Sequence, residues 1–170
     1  NASMRCTEGH ALLLDCRPEL TPLENVSQQE FDLDKYNLEL LVVDTQAPHQ
    51  LNDGQYAQRR ATCEEAAKIL GVANLRVTAD GISKADDQFQ ALKETLDALP
   101  DETMKKRVRH VVTEIERVRS FVRAFAQGDI KSAGRLFNAS HDSLAADYEV
   151  TVPELDIAVD VARKNGAYGA

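Results

Sequence analysis

One apolar stripe, between Pro100 and Gly128, constrains the fold of this chain more than any other feature. Seven apolar residues recur there at alternating spacings of four and three: Met104, Val108, Val111, Ile115, Val118, Val122 and Phe125. This spacing places all seven on one face of an α-helix of about six turns. Asp101 is a suitable N-cap, and Gly128 is expected to end the helix. We therefore predict a long helix with one buried face.

Two helices are predicted before the long one. Asn52 or Asp53 can cap a helix that runs to residue 70, where Gly71 is expected to stop it. Ser83, with Asp86 three residues later, is a suitable start for a second helix that ends before the next proline.

Two more helices are predicted after it. Asp129 can cap the first of them. Its apolar residues, expected to point inward, are Ile130, Ala133, Leu136, Phe137 and Leu144. Pro153 suits the first turn of the last helix, which is expected to end at Gly166. That helix carries three apolar residues: Leu155, Ala158 and Val161.

The strand signals all precede these helices. Residues 9–17 form a short apolar run, and residues 20–26 are a candidate partner that Pro22 would keep at a sheet edge. Residues 37–45 are the strongest strand candidate, because their continuous apolar run indicates burial on both faces. The polar residues 27–36 between them mark a boundary between two lobes. Strands followed by helices predict an α+β protein.

Composition excludes some classes of function. The chain has 170 residues and a net charge of −8, with acidic residues interleaved among the basic ones, so no nucleic-acid partner is expected. No run of about 18 apolar residues predicts a membrane span, and no basic-then-apolar leader predicts secretion. The three cysteines, Cys6, Cys16 and Cys63, have no paired spacing and are predicted to be reduced core thiols in the cytoplasm. The first residue is not Met, which suggests a segment of a longer gene.

The adjacent Ser140, His141 and Asp142 do not form a hydrolase triad. Consecutive helical residues point about 100° apart, and a triad is assembled from separate segments. The four histidines are scattered without zinc-binding spacing, so no metal site is predicted. His110 is expected to be a hydrogen-bonded residue at the edge of the core.

The charged clusters favour structural roles. Four basic residues of the long helix are predicted to form a solvated face paired with Glu102, Glu114 and Glu116: Lys105, Lys106, Arg107 and Arg109. Arg59 and Arg60 can attract phosphate, but ion pairs with Glu64 and Glu65 are the favoured interpretation. Asp147 and Glu149 are interpreted as turn or capping residues rather than cation ligands.

Five stretches in order resemble the galactokinase family of the GHMP kinase superfamily. The stretch "SHDSLAADYEVTVPELD" (residues 140–156) resembles the family pattern "ESHxSLRDDYEVSCPELD", and we interpret it as scaffold. "GHALLLDCR", "DGQYAQRRATCEEAAKILG" and "RVRHVVTEIERV" resemble three further segments. The final "GAYGA" is similar to the lead-in to a glycine-rich third motif.

The resemblance implies transfer of the γ-phosphate of MgATP to the anomeric hydroxyl of galactose. Such a transfer depends on positioning and on electrostatic stabilisation. The family's sugar-holding first motif and its Gly- and Ser-rich ATP motif are absent from the chain. Its catalytic base is expected upstream of Asn1, so the chain contains no catalytic residue. We therefore predict that the chain alone is inactive.

The resemblance also implies a domain division and site residues. It predicts the end of the N-terminal lobe in residues 1–35 and, in residues 36–170, a C-terminal lobe whose antiparallel sheet is covered by helices and remains incomplete. Tyr56 is the position at which the family's Tyr hydrogen-bonds the sugar. Gly166, Tyr168 and Gly169 are expected to support the nucleotide loop.

Two alternatives remain open at this point. A galactose-sensing regulator with the same fold but no catalysis would differ mainly in the ATP motif, which the chain does not include. A helical interaction module would instead expose the stripe of the long helix, which we expect to be buried.

Overall fold

The computed structural model describes residues 5–17, 19–47 and 54–170. Two strands come first, β1 (His10–Leu14) and β2 (Val26–Glu30), followed by a 3₁₀ turn (Asp34–Tyr36). The helices follow: α1 (Gln55–Ile69), α2 (Leu75–Ser83), α3 (Gln88–Asp97), α4 (Glu102–Ala126), α5 (Ile130–Ser143) and α6 (Pro153–Lys164). A π-helical turn, Leu144–Tyr148, continues α5 and is called the π turn below. This order confirms the α+β prediction.

Helix α4 is the centre of the packing. The Asp101 carboxylate accepts a hydrogen bond from the backbone N–H of Met104 at 2.8 Å, which caps the helix as predicted. Val108 is completely buried, whereas Val118, further along the same stripe, is 43% exposed. The main core joins α4 to α1, α2 and the end of α3, and its buried members are Ala66, Ala67, Leu75, Ala79, Leu99, Met104, Val108 and Val112.

Helix α2 was not predicted, and it displaces the predicted start of α3. The Asn74 side chain accepts hydrogen bonds from the N–H groups of Arg76 and Val77, which caps α2. Ser83 therefore ends α2 instead of beginning α3. The carboxylate of Asp87, not Asp86, caps α3.

The ends of α1 and the two last helices agree with the sequence. α1 ends at Ile69 before Gly71, which has a left-handed φ of +68°. The predicted caps at residues 52 and 53 lie outside the described residues. Asp129 caps α5 through the N–H of Ser132, and Pro153 is the first residue of α6. Two apolar residues of α6, Leu155 and Val161, are 38% and 52% exposed, so α6 is only partly covered by the described residues.

The two strands form an antiparallel pair with Leu14 opposite Val26. The prediction that residues 20–26 pair with the first strand is wrong except for Val26, which is the first residue of β2. A turn occupies this stretch because the Glu24 carboxylate accepts hydrogen bonds from the N–H and the hydroxyl of Thr21. Most of β2 is the polar stretch predicted as a lobe boundary. Phe31, just after β2, packs against Phe125 of α4 with the two rings tilted by 31°.

The predicted strand at residues 37–45 is wrong. These residues form no strand, and its apolar side chains are 57–82% exposed: Leu40, Leu41, Val42 and Val43. A strand needs a neighbour to satisfy its backbone N–H and C=O groups, and within the described ranges no strand lies beside it. In the same described ranges, no helix has the length and apolarity to cross a membrane.

Candidate functional site

The first turn of α1 carries Tyr56, which the family resemblance indicates as a sugar contact. Gly54 precedes the helix with a φ of +73°, a conformation that glycine adopts readily. Tyr56 is 77% exposed, so its hydroxyl is accessible to a ligand. Arg60 follows four residues later and therefore lies on the same helix face.

An open groove of about 790 Å³ lies between the end of β1, helix α1 and the start of α2. Its charged and thiol-bearing lining residues are Asp15, Cys16, Arg17, Arg60, Cys63, Glu64, Lys68 and Arg76. Tyr56 is not among the lining residues, but it lies one turn before Arg60, which lines the groove, on the same helix face.

The arginines of the groove have carboxylate partners. Arg17 and Arg76 both donate hydrogen bonds to the Asp15 carboxylate, at 3.1 and 3.2 Å. Burial raises the pKa of Asp15, but the hydrogen bonds from these two arginines outweigh it and hold that pKa below its usual value. Arg60 pairs with Glu64 at 2.8 Å, as predicted. These paired charges favour a structural role over an anion site.

Arg59 and Arg107 hydrogen-bond to backbone carbonyl oxygens in the π turn and directly after it, and we call these two arginines the carbonyl clamp. Arg59 donates from Nε to the carbonyl oxygen of Tyr148 at 2.9 Å and from Nη2 to that of Glu149. Arg107 donates to the carbonyl oxygen of Asp147 and, at 2.6 Å, to the Glu149 carboxylate. The planar fork of arginine suits two acceptors at once.

The carbonyl clamp corrects two sequence predictions. Arg59 was expected to pair with Glu64 or Glu65, but it binds main-chain oxygens about 90 residues away in sequence. Arg107 was expected on a solvated face, yet only 7% of it is exposed. Among the neighbouring basic residues, Arg109 also reaches the π turn, through Asp147 at 2.8 Å.

His110 is a structural residue, as predicted. Its Nδ1 is hydrogen-bonded to the Ser143 hydroxyl at 2.9 Å, and its ring stacks on Tyr148 at 4.5 Å between centroids. Burial lowers the pKa of His110. Burial also raises the pKa of the Cys63 thiol and that of the Tyr148 hydroxyl. All three groups are therefore neutral near pH 7.

The adjacent Ser140, His141 and Asp142 contact three different partners. The Ser140 hydroxyl donates to Glu114 at 2.6 Å. His141 lies 3.2 Å from Asp156 of α6, and Asp142 accepts from Arg163 at 2.8 Å. No proton relay links them, which confirms the structural interpretation.

The C-terminal segment lies directly on α5. The backbones of Gly134 and Gly169 approach so closely that a Cβ atom on either residue would overlap atoms of the other segment. The Asn138 side-chain oxygen accepts from Arg163 at 2.9 Å and from the N–H of Ala170 at 3.0 Å. Arg163 also donates to the Ala170 carbonyl oxygen at 3.1 Å. These contacts fix the position of the segment's backbone.

The predicted nucleotide-loop residues lie in this segment. Gly166 ends α6 with a φ of +93°, Gly169 is at the α5 crossing, and Tyr168 is 55% exposed. Within the described part of the chain, no hydrogen bond or ring contact joins them to Tyr56. Sequence reasoning missed Asn138 and Arg163, because their 25-residue separation gives no local signal.

The cysteines and acidic residues show no metal centre in the residues the structure describes. Cys6 and Cys16 are exposed, so the prediction of core thiols is wrong for both, and Cys63 is half-buried. Both exposed cysteines lie on or beside the thin β1–β2 pair, which has too few layers to cover them.

Comparison with known proteins gives the same assignment by sequence and by structure. The family described as GHMP kinases C terminal matches residues 121–170. The galactokinase of Streptomyces coelicolor is 41% identical over 99% of this chain and 40% of its own length. The galactokinase of Haemophilus influenzae is 39% identical over 92% of this chain and 37% of its own length.

A solved structure has the same fold. Lactococcus lactis galactokinase, crystallised with galactose, matches 92% of this chain and 37% of its own chain, with a TM-score of 0.69 and 30% identity. The matched C-terminal region, residues 121–170, is similar to the C-terminal domain of GHMP kinases. Over nearly its whole length, the chain is similar in sequence and fold to galactokinases. It spans about two fifths of the length of the relatives it matches.

Proposed function

We propose that this chain is part of a galactokinase that transfers the γ-phosphate of ATP to the anomeric hydroxyl of galactose. The observation that carries this proposal is the 41% identity to a galactokinase over 99% of the chain. The fold shared with a galactokinase crystallised with galactose supports it. The relatives compared above are named galactokinases, so the sensor alternative has no observation in its favour.

The contribution of this chain to the reaction is positional. Phosphoryl transfer depends on holding the attacking hydroxyl in line with the phosphate and on stabilising the spread charge. Tyr56, exposed at the start of α1, is suited to hydrogen-bonding a sugar hydroxyl, and galactose is uncharged, so no ion pair is needed. Residues 166–169, fixed on α5, are suited to supporting a following nucleotide loop.

Magnesium is the metal that ATP carries in such reactions, where it neutralises charge on the β- and γ-phosphates. The described residues contain no group of His, Cys, Asp or Glu side chains that fits a metal ion. Because the chain spans about two fifths of the length of its relatives, we propose that the catalytic base and any protein ligands for magnesium lie outside it.

The lobe assignment is part of the same proposal. Residues 1–35 are assigned to the N-terminal lobe and residues 36–170 to the C-terminal lobe. The packing of Phe31 against Phe125, 4.6 Å between ring centroids, is then a contact between the lobes. A cytoplasmic location is proposed from the free thiols of Cys6, Cys16 and Cys63.

The test of the function uses the full-length protein. We expect it to form galactose 1-phosphate from galactose and ATP with Mg²⁺, whereas the 170-residue chain alone forms none. A full-length protein that binds galactose without phosphorylating it would instead support the sensor. Product formation by the 170-residue chain would show that the missing motifs are not required.

The test of the site is Tyr56→Phe in the full-length enzyme. Loss of one uncharged hydrogen bond should reduce kcat/KM for galactose by about 0.5–1.5 kcal/mol. The phenylalanine ring keeps the packing of the exposed helix start, so the unfolding midpoint should stay unchanged. An unchanged kcat/KM would remove Tyr56 from the sugar site.

A further inference from the structure

Arg59 links the first turn of α1 to a distant part of the chain. Its Nε and Nη2 donate to the carbonyl oxygens of Tyr148 and Glu149, and Nη2 also donates to the Gln55 side chain at 3.0 Å. The guanidinium carbon lies 5.9 Å from the centre of the Tyr148 ring. One side chain therefore connects the first residue of α1 to the π turn.

The neighbouring Arg60 provides a direct contrast. It pairs with Glu64 within the same helix, and its side chain is 68% exposed. Such an exposed pair one turn apart stabilises a helix by only a few tenths of a kcal/mol. Within α1, Arg59 instead contacts the uncharged side chain of Gln55. Its two hydrogen bonds to the carbonyl oxygens of Tyr148 and Glu149 restrain where the helix begins.

The π turn is a firm anchor for Arg59. Arg107, almost fully buried, holds the same turn from α4 through Asp147 and Glu149. The Tyr148 ring is stacked on the buried His110 of α4. Glu149 closes the turn in a left-handed conformation with φ of 55°. Because α4 fixes the turn, Arg59 fixes the start of α1 relative to α4.

Tyr56 lies in the part of α1 that Arg59 restrains. It is between Gln55, which Arg59 contacts, and Arg59 itself, three residues later on a neighbouring helix face. The first turn of a helix has unpaired N–H groups and frays unless it is held. A shift of the reacting groups by about 1 Å is enough to cost enzymes much of their rate.

We propose that Arg59 is a positioning residue for the sugar site, because it fixes the first turn of α1 and so places the Tyr56 hydroxyl. The inference rests on the proposed function, since it takes Tyr56 as the galactose contact. It adds a residue that touches no substrate and acts through Tyr56.

The kinetic test compares Arg59→Met with Arg123→Met in the full-length enzyme. Arg59→Met should raise the KM for galactose by about 3- to 10-fold, the range for one lost hydrogen bond, while the KM for ATP stays unchanged. Arg123, an exposed arginine paired with Glu116 within α4, is remote from the groove, so Arg123→Met should leave both constants unchanged. Arg59→Lys should restore less than half of the loss, because an ammonium group lacks the planar fork. Full restoration by lysine, or an equal rise in both KM values, would overturn the proposal.

A double-mutant cycle tests whether Arg59 acts through Tyr56. If it does, Arg59→Met should have little further effect on the galactose KM once Tyr56 is phenylalanine. Additive effects of the two substitutions would show that Arg59 acts by another route. A strong Arg59→Met effect combined with no Tyr56→Phe effect would also contradict the proposal.

Amide hydrogen exchange separates this proposal from the proposed function, since it needs no activity. In the full-length protein without ligands, Arg59→Met should speed exchange in the first two turns of α1 and leave α4 unchanged, whereas Arg60→Met should change neither. Unchanged exchange in α1 would overturn the positioning role even in an active galactokinase. Faster exchange in a protein without galactokinase activity would overturn the sugar site while retaining the restraint.

Discussion

Two valines of this chain have opposite surroundings. Val108 in α4 has no exposed surface, whereas Val42, in residues 38–43 outside any helix or strand, is 82% exposed. Both lie in apolar runs that predicted burial. The difference is in what surrounds them: α4 contacts α1, α2, α3 and α5, whereas no strand lies beside residues 38–43 within the described residues.

The comparison shows that an apolar pattern predicts a tendency to be buried without identifying the partner. The helices that cover α4 lie within about 50 residues on either side, so one segment can supply them. A strand buried on both faces needs neighbours that are often distant in sequence. The relatives of this chain are more than twice as long, so they have additional residues that can cover such a strand.

Val108→Ala should destabilise the chain most. Removal of two buried methyl groups should lower the free energy of unfolding of the 170-residue chain by about 2–3 kcal/mol, through lost transfer energy and the cavity left behind. Urea unfolding followed by circular dichroism measures this change. Val42→Ala, the matched control, should cost less than about 0.5 kcal/mol.

The same two valine substitutions in the full-length protein show whether residues outside this chain cover Val42. We expect Val42→Ala to become costly there, by about 1–3 kcal/mol, because residues outside this chain would cover it. Val108→Ala should cost the same in both. If Val42→Ala remains neutral in the full-length protein, the strand prediction at residues 37–45 is wrong for the whole protein as well.

Two helical glycines provide a second comparison between a position covered by another segment and an open one. A Cβ atom on Gly134 would overlap the backbone of Tyr168, whereas one on Gly81 meets nothing within 4 Å. Gly134→Ala should therefore destabilise the chain by about 1–3 kcal/mol through overpacking. Gly81→Ala should stabilise it by about 0.5–1 kcal/mol, because alanine favours a helix. A neutral Gly134→Ala would mean that the C-terminal segment is not seated on α5.

The sequence predicted best those elements whose signals are local. The caps Asp101 and Asp129 and the terminator Gly71 act within one helical turn, so their roles followed from spacing alone. Helix α2 was missed because its cap, Asn74, is followed by a short helix that contains a glycine. The turn at residues 20–25 was missed because a side-chain hydrogen bond, not an apolar pattern, forms it.

The candidate site was less predictable than the fold. Tyr56 and residues 166–169 were identified only through resemblance to a family, since neither has a pattern that specifies a ligand. The carbonyl clamp depends on Arg59 reaching main-chain oxygens about 90 residues away, and nothing in the local sequence indicates backbone acceptors. Arg59 and Arg60 are identical neighbours in sequence, and only the fold gives them different partners.

The smallest predicted effect is a pH dependence produced by burial in the covered region. Burial lowers the pKa of His110, which is packed among Glu114, Arg117, Asp147 and Arg107. The unfolded chain therefore binds a proton at His110 at a higher pH than the folded chain does. The stability from a neutral His110 is complete above about pH 6.5 and is lost as pH falls from there through the folded pKa.

Urea unfolding of the 170-residue chain between pH 8 and pH 5 measures this dependence. The slope from one proton has an upper limit of about 1.4 kcal/mol per pH unit, and His110→Gln should remove the part due to His110. His10→Gln, which changes an exposed histidine on β1, should retain the slope of the parent chain. The opposite result would be an unchanged pH slope of stability in His110→Gln and a lost slope in His10→Gln. The pH dependence would then come from strand β1, where His10 is exposed, and burial of His110 would not be its cause.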